Sequence, residues 1–213
     1  MKYNNEVNYI LVLGKSGVGK TTFVNTIIKS NIFKTYDDGA DMCTRECQIG
    51  RLTFQNKHYS FIDTPGFDES ENEINKAISE NPNIKCIILL FNIHEKKRID
   101  QSTAKLLEKL IKRFPIKNFW DHIIVVRTHV DEYFRYGKRK RILEENKNIL
   151  LYFVNNAESL KNYMKNFGIA IPYTIDEYYF GKSDEEGIVE DYEYNSTEFE
   201  KILNKINNLS SLN

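Results

Sequence analysis

Residues 11–28 read LVLGKSGVGKTTFVNTII, an apolar run that breaks into glycines and resumes as a helical pattern. The stretch matches Gly-x-x-x-x-Gly-Lys-[Ser/Thr] at Gly14, Gly19, Lys20 and Thr21, the spacing of a phosphate-cradling loop between a strand and a helix. Successive backbone N–H groups of Ser16, Gly17, Val18, Gly19, Lys20 and Thr21 are expected to converge on a β-phosphate. The helix N-terminus adds its dipole. Glycines at 17 and 19 let the backbone approach without a Cβ clash. Lys20 would bridge β- and γ-phosphates, and the Thr21 hydroxyl would ligate Mg²⁺. Thr22, next along the helix, completes this nucleotide-binding set. A chance match in a tight strand-to-helix turn is the bland alternative, and the amphipathic helix that follows argues against it.

Outward from this loop, short apolar runs alternate with helical patterns. Strand-like runs occupy 9–13, 47–54, 59–63, 86–92, 122–128 and 177–182, and helical patterns fall at 20–30, 71–80, 100–113, 138–167 and 197–208. Leu106, Leu107, Leu110 and Ile111 have the spacing of a buried helical stripe. Strands separated by helices predict an α/β sandwich of about six mostly parallel strands with helices on both faces. Two consecutive strands at 47–63, with Asn56-Lys57 between them, predict one antiparallel edge hairpin. No linker divides the chain, so residues 1–213 are expected to form a single domain. Segment 138–167 reads as an extended helical region, either a buried amphipathic pair or a carrier of partner contacts. The acidic stretch 182–194 reads as a loop before the last helix.

A second motif reinforces the first. FIDTPGF, 61–67, ends a strand with Asp63, which can hold Mg²⁺ through water, and Gly66 can offer its N–H to a γ-phosphate. Alone it would be an ordinary Thr-Pro-Gly turn. Between the two motifs lies DMCTRECQ, 41–48, where Thr44 can ligate Mg²⁺ and sense the γ-phosphate, so that loss of that group releases the loop. After the fifth strand comes RTHVDE, 127–132. Thr128, His129 and Asp131 fit [Asn/Thr]-Lys-x-Asp with His in place of Lys. A carboxylate at 131 would accept from N1–H and the exocyclic amino group of guanine, a donor pair that adenine lacks. A helix-capping Asp is the alternative. The turn near Gly181 and Lys182 is the expected last base contact.

Composition narrows the classes. Acidic and basic residues balance at 30 each, so no overall field draws the chain to nucleic acid, and no nucleic-acid partner is expected. Basic runs at 96–98 and 137–141 read as solvated faces. Cys43, Cys47 and Cys86 make no disulfide framework and no zinc site. Neither a signal peptide nor an apolar run of about 18 residues is seen, and no lipidation box occurs. The expected location is cytoplasmic, with peripheral attachment to an internal membrane left open.

Together, GKSGVGKTTFVNTI, CTRECQ, DTPGF and VVRTHVDE resemble the immunity-associated nucleotide-binding GTPases (the GIMAP or IAN family), with septins and chloroplast-envelope Toc GTPases as more distant relatives. The resemblance covers about residues 7 to 208. It implies a Ras-like domain binding GTP or GDP with Mg²⁺, a homodimer across the nucleotide faces in the GTP state, and an unidentified protein or membrane effector. Some family members supply an arginine across that dimer; the matching position is Arg98, which otherwise reads as a surface arginine ahead of a helix. Catalysis is thus expected to involve Lys20, Thr44, Gly66 and Arg98. Ras-type enzymes place a water-orienting Gln where this chain has Phe67, so intrinsic hydrolysis is expected to be slow. A GTPase switch, a barely hydrolysing GTP-dependent scaffold, and an ATPase or small-molecule kinase are the competing readings; Asp131 disfavours the third.

Overall fold

The computed structural model describes residues 7–35, 44–95, 101–130, 148–180 and 189–212, with the side chains of 189–196 excepted. Six strands form one sheet: β1 (Val7–Gly14), β2 (Gln48–Phe54), β3 (Lys57–Asp63), β4 (Ile84–Asn92), β5 (Ile123–Thr128) and β6 (Asp176–Tyr179). Their spatial order is β2-β3-β1-β4-β5-β6. Only the edge strand β2 runs antiparallel, against β3; the other pairings are parallel. The expected architecture therefore stands. The edge hairpin turns one residue earlier than expected, because Phe54 pairs with Lys57. Gln55 and Asn56 both take positive φ, 49° and 60°, the mirror-image turn geometry whose twist matches a tight hairpin.

Alternate residues of the central strands feed two cores, as the period of two demands. Leu11, Leu13, Ile87 and Leu89 face one layer. That layer contains α2 (Glu71–Glu80), α3 (Gln101–Arg113), α4 (Ile149–Asn156) and α5 (Glu158–Asn166), represented by Ile74, Leu107, Val154 and Leu160. Ile10, Val12, Cys86 and Ile88 face the other, where α1 (Lys20–Ile27) and α6 (Val189–Asn207) contribute Phe23 and Ile202. Phe23, Phe180 and Phe199 meet with ring centroids 5.5 to 5.8 Å apart, joining α1, the end of β6 and α6. The predicted stripe on α3 is buried throughout: Leu106, Leu107, Leu110 and Ile111.

Two boundaries differ in detail from expectation; for 138–167 a helix pair was one of the readings, and only the position of its break is new. Within the described part of 138–167 there are two short helices, broken at Ala157 (φ −95°, ψ 86°). The Asn156 side chain donates to the Tyr152 carbonyl at 2.7 Å, and asparagine competes with helix continuation in this way. Both helices bury apolar faces, through Leu150 and Phe153 on α4 and Leu160 and Met164 on α5. Residues 138–147 lie outside the described residues. The second difference is at 182–194, expected as a loop: α6 already begins at Val189. An acidic composition that reads as loop is also what a helix N-terminus favours. Among the described residues no helix is long and apolar enough to cross a membrane.

β1, β3 and β5 end together at Gly14, Asp63 and Thr128. In an open α/β sheet ligands bind beyond these carboxyl ends, and the described parts of the glycine loop, of FIDTPGF and of RTHVDE lie there.

Candidate functional site

The glycine loop leaves β1 and enters α1 through Gly19, whose φ of 89° is left-handed and strained for a side-chain-bearing residue. Gly17 is likewise positive, at 73°. Lys20, only 6% exposed, curls back over its own loop. Its Nζ donates to the carbonyls of Gly14 at 3.1 Å and Lys15 at 2.8 Å. This arrangement keeps an ammonium solvated by backbone inside the cradle. Val18 is buried and Thr22 follows Thr21 into the first turn of α1.

At the end of β3, the three residues expected around Mg²⁺ converge. The Thr21 hydroxyl donates to Asp63 Oδ2 at 2.8 Å, and the Thr44 hydroxyl donates to the same oxygen at 3.1 Å. The two hydroxyl oxygens stand 2.9 Å apart. Asp63 is fully buried, and burial pushes its carboxyl up to about 6; the bonds from Thr21 and Thr44 and the charge of Lys20 oppose that rise. Its second oxygen, Oδ1, is buried without a hydrogen-bond partner. Clustered hard oxygens, one on a carboxylate with an unsatisfied lone pair, suit a small divalent cation such as Mg²⁺. The residues present therefore fit the ion.

The chain after Asp63 is stitched to the cradle. Thr64 Oγ1 donates to the Val12 carbonyl at 2.7 Å, and Phe67 N–H donates to the Gly14 carbonyl at 3.3 Å. At Gly66 the approach is so close that a Cβ would lie 2.7 Å from Ser16 N and 2.6 Å from Asp68 Oδ1; only glycine fits. The Phe67 ring packs against the core layer containing Ile74 and brings no polar group to the site. Asp68, which the motif reading passed over, accepts a hydrogen bond from the Ser16 N–H at 3.0 Å. The signal was a carboxylate directly after a residue with no hydrogen-bonding side chain.

On the opposite side, Thr128 Oγ1 donates to the Val18 carbonyl at 2.8 Å, tying β5 to the glycine loop. His129 has φ 59° and its Nδ1 lies 3.1 Å from Thr128 Oγ1; its Cε1 would be 3.6 Å from a Cβ on Gly19. Thr128 thus serves as a strap, and His129 lies alongside the cradle. Asp131, Gly181, Lys182 and Arg98 lie outside the described residues, as do the basic runs at 96–98 and 137–141. Thr128's neighbour Arg127, fully buried, was also passed over. Its Nη2 donates to the carbonyls of Asn92 at 2.9 Å and Ile93 at 3.0 Å, fixing the chain just after β4. A lone arginine inside the apolar run IIVVRT was the available clue.

Both described thiols are held away from ionisation. Cys47 Sγ points to the Glu73 carbonyl at 3.5 Å, and burial, with Glu73 and Asp63 adding to it, pushes the thiol up to about 12. Burial raises Cys86 as well.

Comparisons with known proteins agree with this geometry. GTPase Era of Borrelia garinii subsp. bavariensis is 29% identical over 182 residues, 80% of this chain and 60% of Era. GTPase IMAP family member 8 of Mus musculus is 26% identical over 173 residues, 75% of this chain and 22% of that protein. The chain spans between about a quarter and three-fifths of the length of the first curated relatives it matches. Among solved structures, Toc33 of Arabidopsis thaliana superposes with a TM-score of 0.67 at 18% identity, over 97% of this chain and 88% of Toc33. The fold is thus Ras-like. A model of the AIG1 family matches residues 8–166, three-quarters of the sequence, and the chain belongs to the AIG1 family of P-loop GTPases.

Proposed function

We propose that this chain is a GTP-binding switch that hydrolyses GTP slowly on its own and pairs with a second copy across the nucleotide face in the GTP state. The observation that carries the reading is the convergence of Thr21 and Thr44 on the buried Asp63 beside Lys20. A loop threonine and a helix threonine meeting at one carboxylate make loop position depend on what fills the cradle. Mg²⁺, held by Thr21 and Thr44 with Asp63 behind them, would offset the charge of the phosphates during transfer.

The chain's own residues supply the rest. Lys20 leaves the carbonyls of Gly14 and Lys15 and moves its charge onto the β- and γ-phosphates. Thr44 and Gly66 hold the γ-phosphate through backbone N–H groups and let go when it departs. Thr128 keeps the base-reading segment in register with the glycine loop, and Asp131 accepts from guanine. The Phe67 side chain cannot orient the attacking water, so the intrinsic rate is low. Arg98 of a second copy then provides the missing positive charge, an effect worth about 10³ to 10⁵ in rate in related systems. Toc33 has been solved with GDP and Mg²⁺, and dimerisation is described as important for the GTPase activity of atToc33 and psToc159, which supports the pairing.

GTP turnover measured against protein concentration, with light scattering to follow assembly, tests the reading. Specific activity rising with concentration is expected; a constant specific activity refutes dimer activation. Equal binding of mant-ATP and mant-GTP would refute the assignment of Asp131. Phe67 favours one second reading, a scaffold that assembles on GTP without turning it over. It predicts nucleotide-dependent scattering with no phosphate release at any concentration.

A further inference from the structure

We propose that Asp68 sets the preference of this site between nucleoside diphosphate and triphosphate, by occupying as an internal anion the N–H that lies at the γ-phosphate end of the cradle. The proposal rests on the reading of the glycine loop as a guanine-nucleotide site.

The Ser16 N–H is the first donor of the glycine loop, and it is bonded to Asp68 Oδ1 at 3.0 Å. Gly66, the residue placed to touch a γ-phosphate, packs so closely that its Cβ position falls 2.7 Å from Ser16 N and 2.6 Å from Asp68 Oδ1. Ser16, Gly66 and Asp68 therefore share one corner of the site. A carboxylate and a phosphate are both anionic acceptors, and a backbone N–H in a phosphate cradle bonds either one strongly. The motif alone assigns the Ser16 N–H to the β-phosphate, but its contact with Gly66 puts it at the γ-phosphate end, and a diphosphate then leaves Asp68 in place. A triphosphate brings a second anion to it, so Asp68 must either leave Ser16 or stand against like charge.

What Asp68 does is passed on mechanically. The N–H groups of Glu69 and Ser70 both donate to the Gly66 carbonyl at 3.0 Å, and Phe67 N–H is held by the Gly14 carbonyl. Asp68 sits inside this short turn, and α2 begins at Glu71 immediately after it. Displacing the carboxylate perturbs the turn that sets Phe67 and the first turn of α2. The side chain is exposed, so its removal leaves both cores untouched.

The test is equilibrium titration of the full chain with mant-GDP and with mant-GMPPNP in Mg²⁺, for the native protein, Asp68→Ala and Asp68→Asn. Asp68→Ala is expected to raise the affinity for GMPPNP relative to GDP by about tenfold, with GDP affinity unchanged within about twofold. Asp68→Asn removes the charge but keeps an acceptor, and is expected to move the ratio in the same direction by less. A ratio unchanged in both variants, or weaker GMPPNP binding in Asp68→Ala, overturns the proposal while leaving the guanine-nucleotide reading intact. Native protein that binds neither probe overturns both. Unaltered GDP binding is also the control that the variants are folded.

Discussion

Replacing Asp63 by Asn gives a quantitative test of how the metal corner is built. The carboxyl is fully buried, with one oxygen serving Thr21 and Thr44 and the other without a partner. Its folded-state value stands at about 6, against 3.8 for an ordinary aspartate. An acid whose folded value is raised contributes stability fully present below 3.8, and that stability is lost as pH rises through about 6. The whole difference amounts to roughly 3 kcal/mol, of which about 2 kcal/mol falls between about pH 4.5 and 7.5. The Asp63→Asn variant has no carboxyl to titrate there, so it forgoes this loss.

An asparagine places an NH₂ where Oδ1 finds no partner, which costs about 1 to 3 kcal/mol. That penalty is the same at both pH values and cancels in the comparison. Thermal melting without nucleotide or Mg²⁺ should therefore show the variant gaining on the native protein by roughly 4 to 8 °C between about pH 4.5 and 7.5, for a chain of this size. Other titrating groups are common to both proteins and drop out. Parallel melting profiles across that range would refute the claim that a buried carboxylate charge is held in reserve there. With Mg²⁺ and GDP added, the native protein should rise by mass action and Asp63→Asn should not.

Further outcomes follow from single contacts. Lys20→Ala removes the cradle's buried cation and should weaken mant-GTP binding by about ten- to a hundredfold, as loss of a charged hydrogen bond does. Gly66→Ala forces a methyl to within 2.7 Å of Ser16 N; it should slow GTP turnover and lower the melting point, while Trp120, buried against Phe119, keeps its native fluorescence. Leu107→Ala, at a fully buried position among α2, α3 and the sheet, should destabilise by about 2 to 5 kcal/mol in urea unfolding without changing guanine selectivity. In a Cys43→Ser background, native Cys47 and Cys86 should resist a thiol reagent at about pH 8 and react only on unfolding, since burial raises both thiols and leaves almost no thiolate.

Much of this was legible from residue patterns because local rules and tertiary structure agree. The strands alternate between two apolar faces, the α3 stripe is buried as spaced, and Thr21, Thr44 and Asp63 meet though they are far apart in sequence. Their meeting was readable because strand ends in such a sheet share one edge. A helix pair was one reading of 138–167, but the position of its break at Ala157 was not readable, since a side chain bonds back there to the Tyr152 carbonyl, a choice that helical periodicity does not encode. Nor was the early start of α6 at Val189, where acidic residues serve loop and helix start equally. Asp68 and Arg127 escaped for a different reason. Their roles lie in long-range bonds to backbone, at Ser16 N–H and at the Asn92 and Ile93 carbonyls, and backbone partners leave no residue type to match with the clue each side chain gave.

These bonds bear on how tightly a nucleotide can be held. Without one, several of the groups that would grip a triphosphate and its metal have internal substitutes: Lys20 on two carbonyls, Ser16 N–H on Asp68, and two threonine hydroxyls on Asp63. The cradle is thereby preorganised in shape, which lowers the ordering cost of binding. It is also self-satisfied, which lowers the net gain, because each new contact replaces an old one. The exception is Asp63 Oδ1, buried and without a partner, where a cation would add an interaction and displace none. The metal should therefore contribute disproportionately to affinity: removing Mg²⁺ with EDTA is expected to weaken GDP binding by more than Lys20→Ala does. A larger loss from Lys20→Ala than from EDTA would show that the lysine's two carbonyl bonds are weak substitutes, and that the phosphates rather than the carboxylate corner dominate the grip.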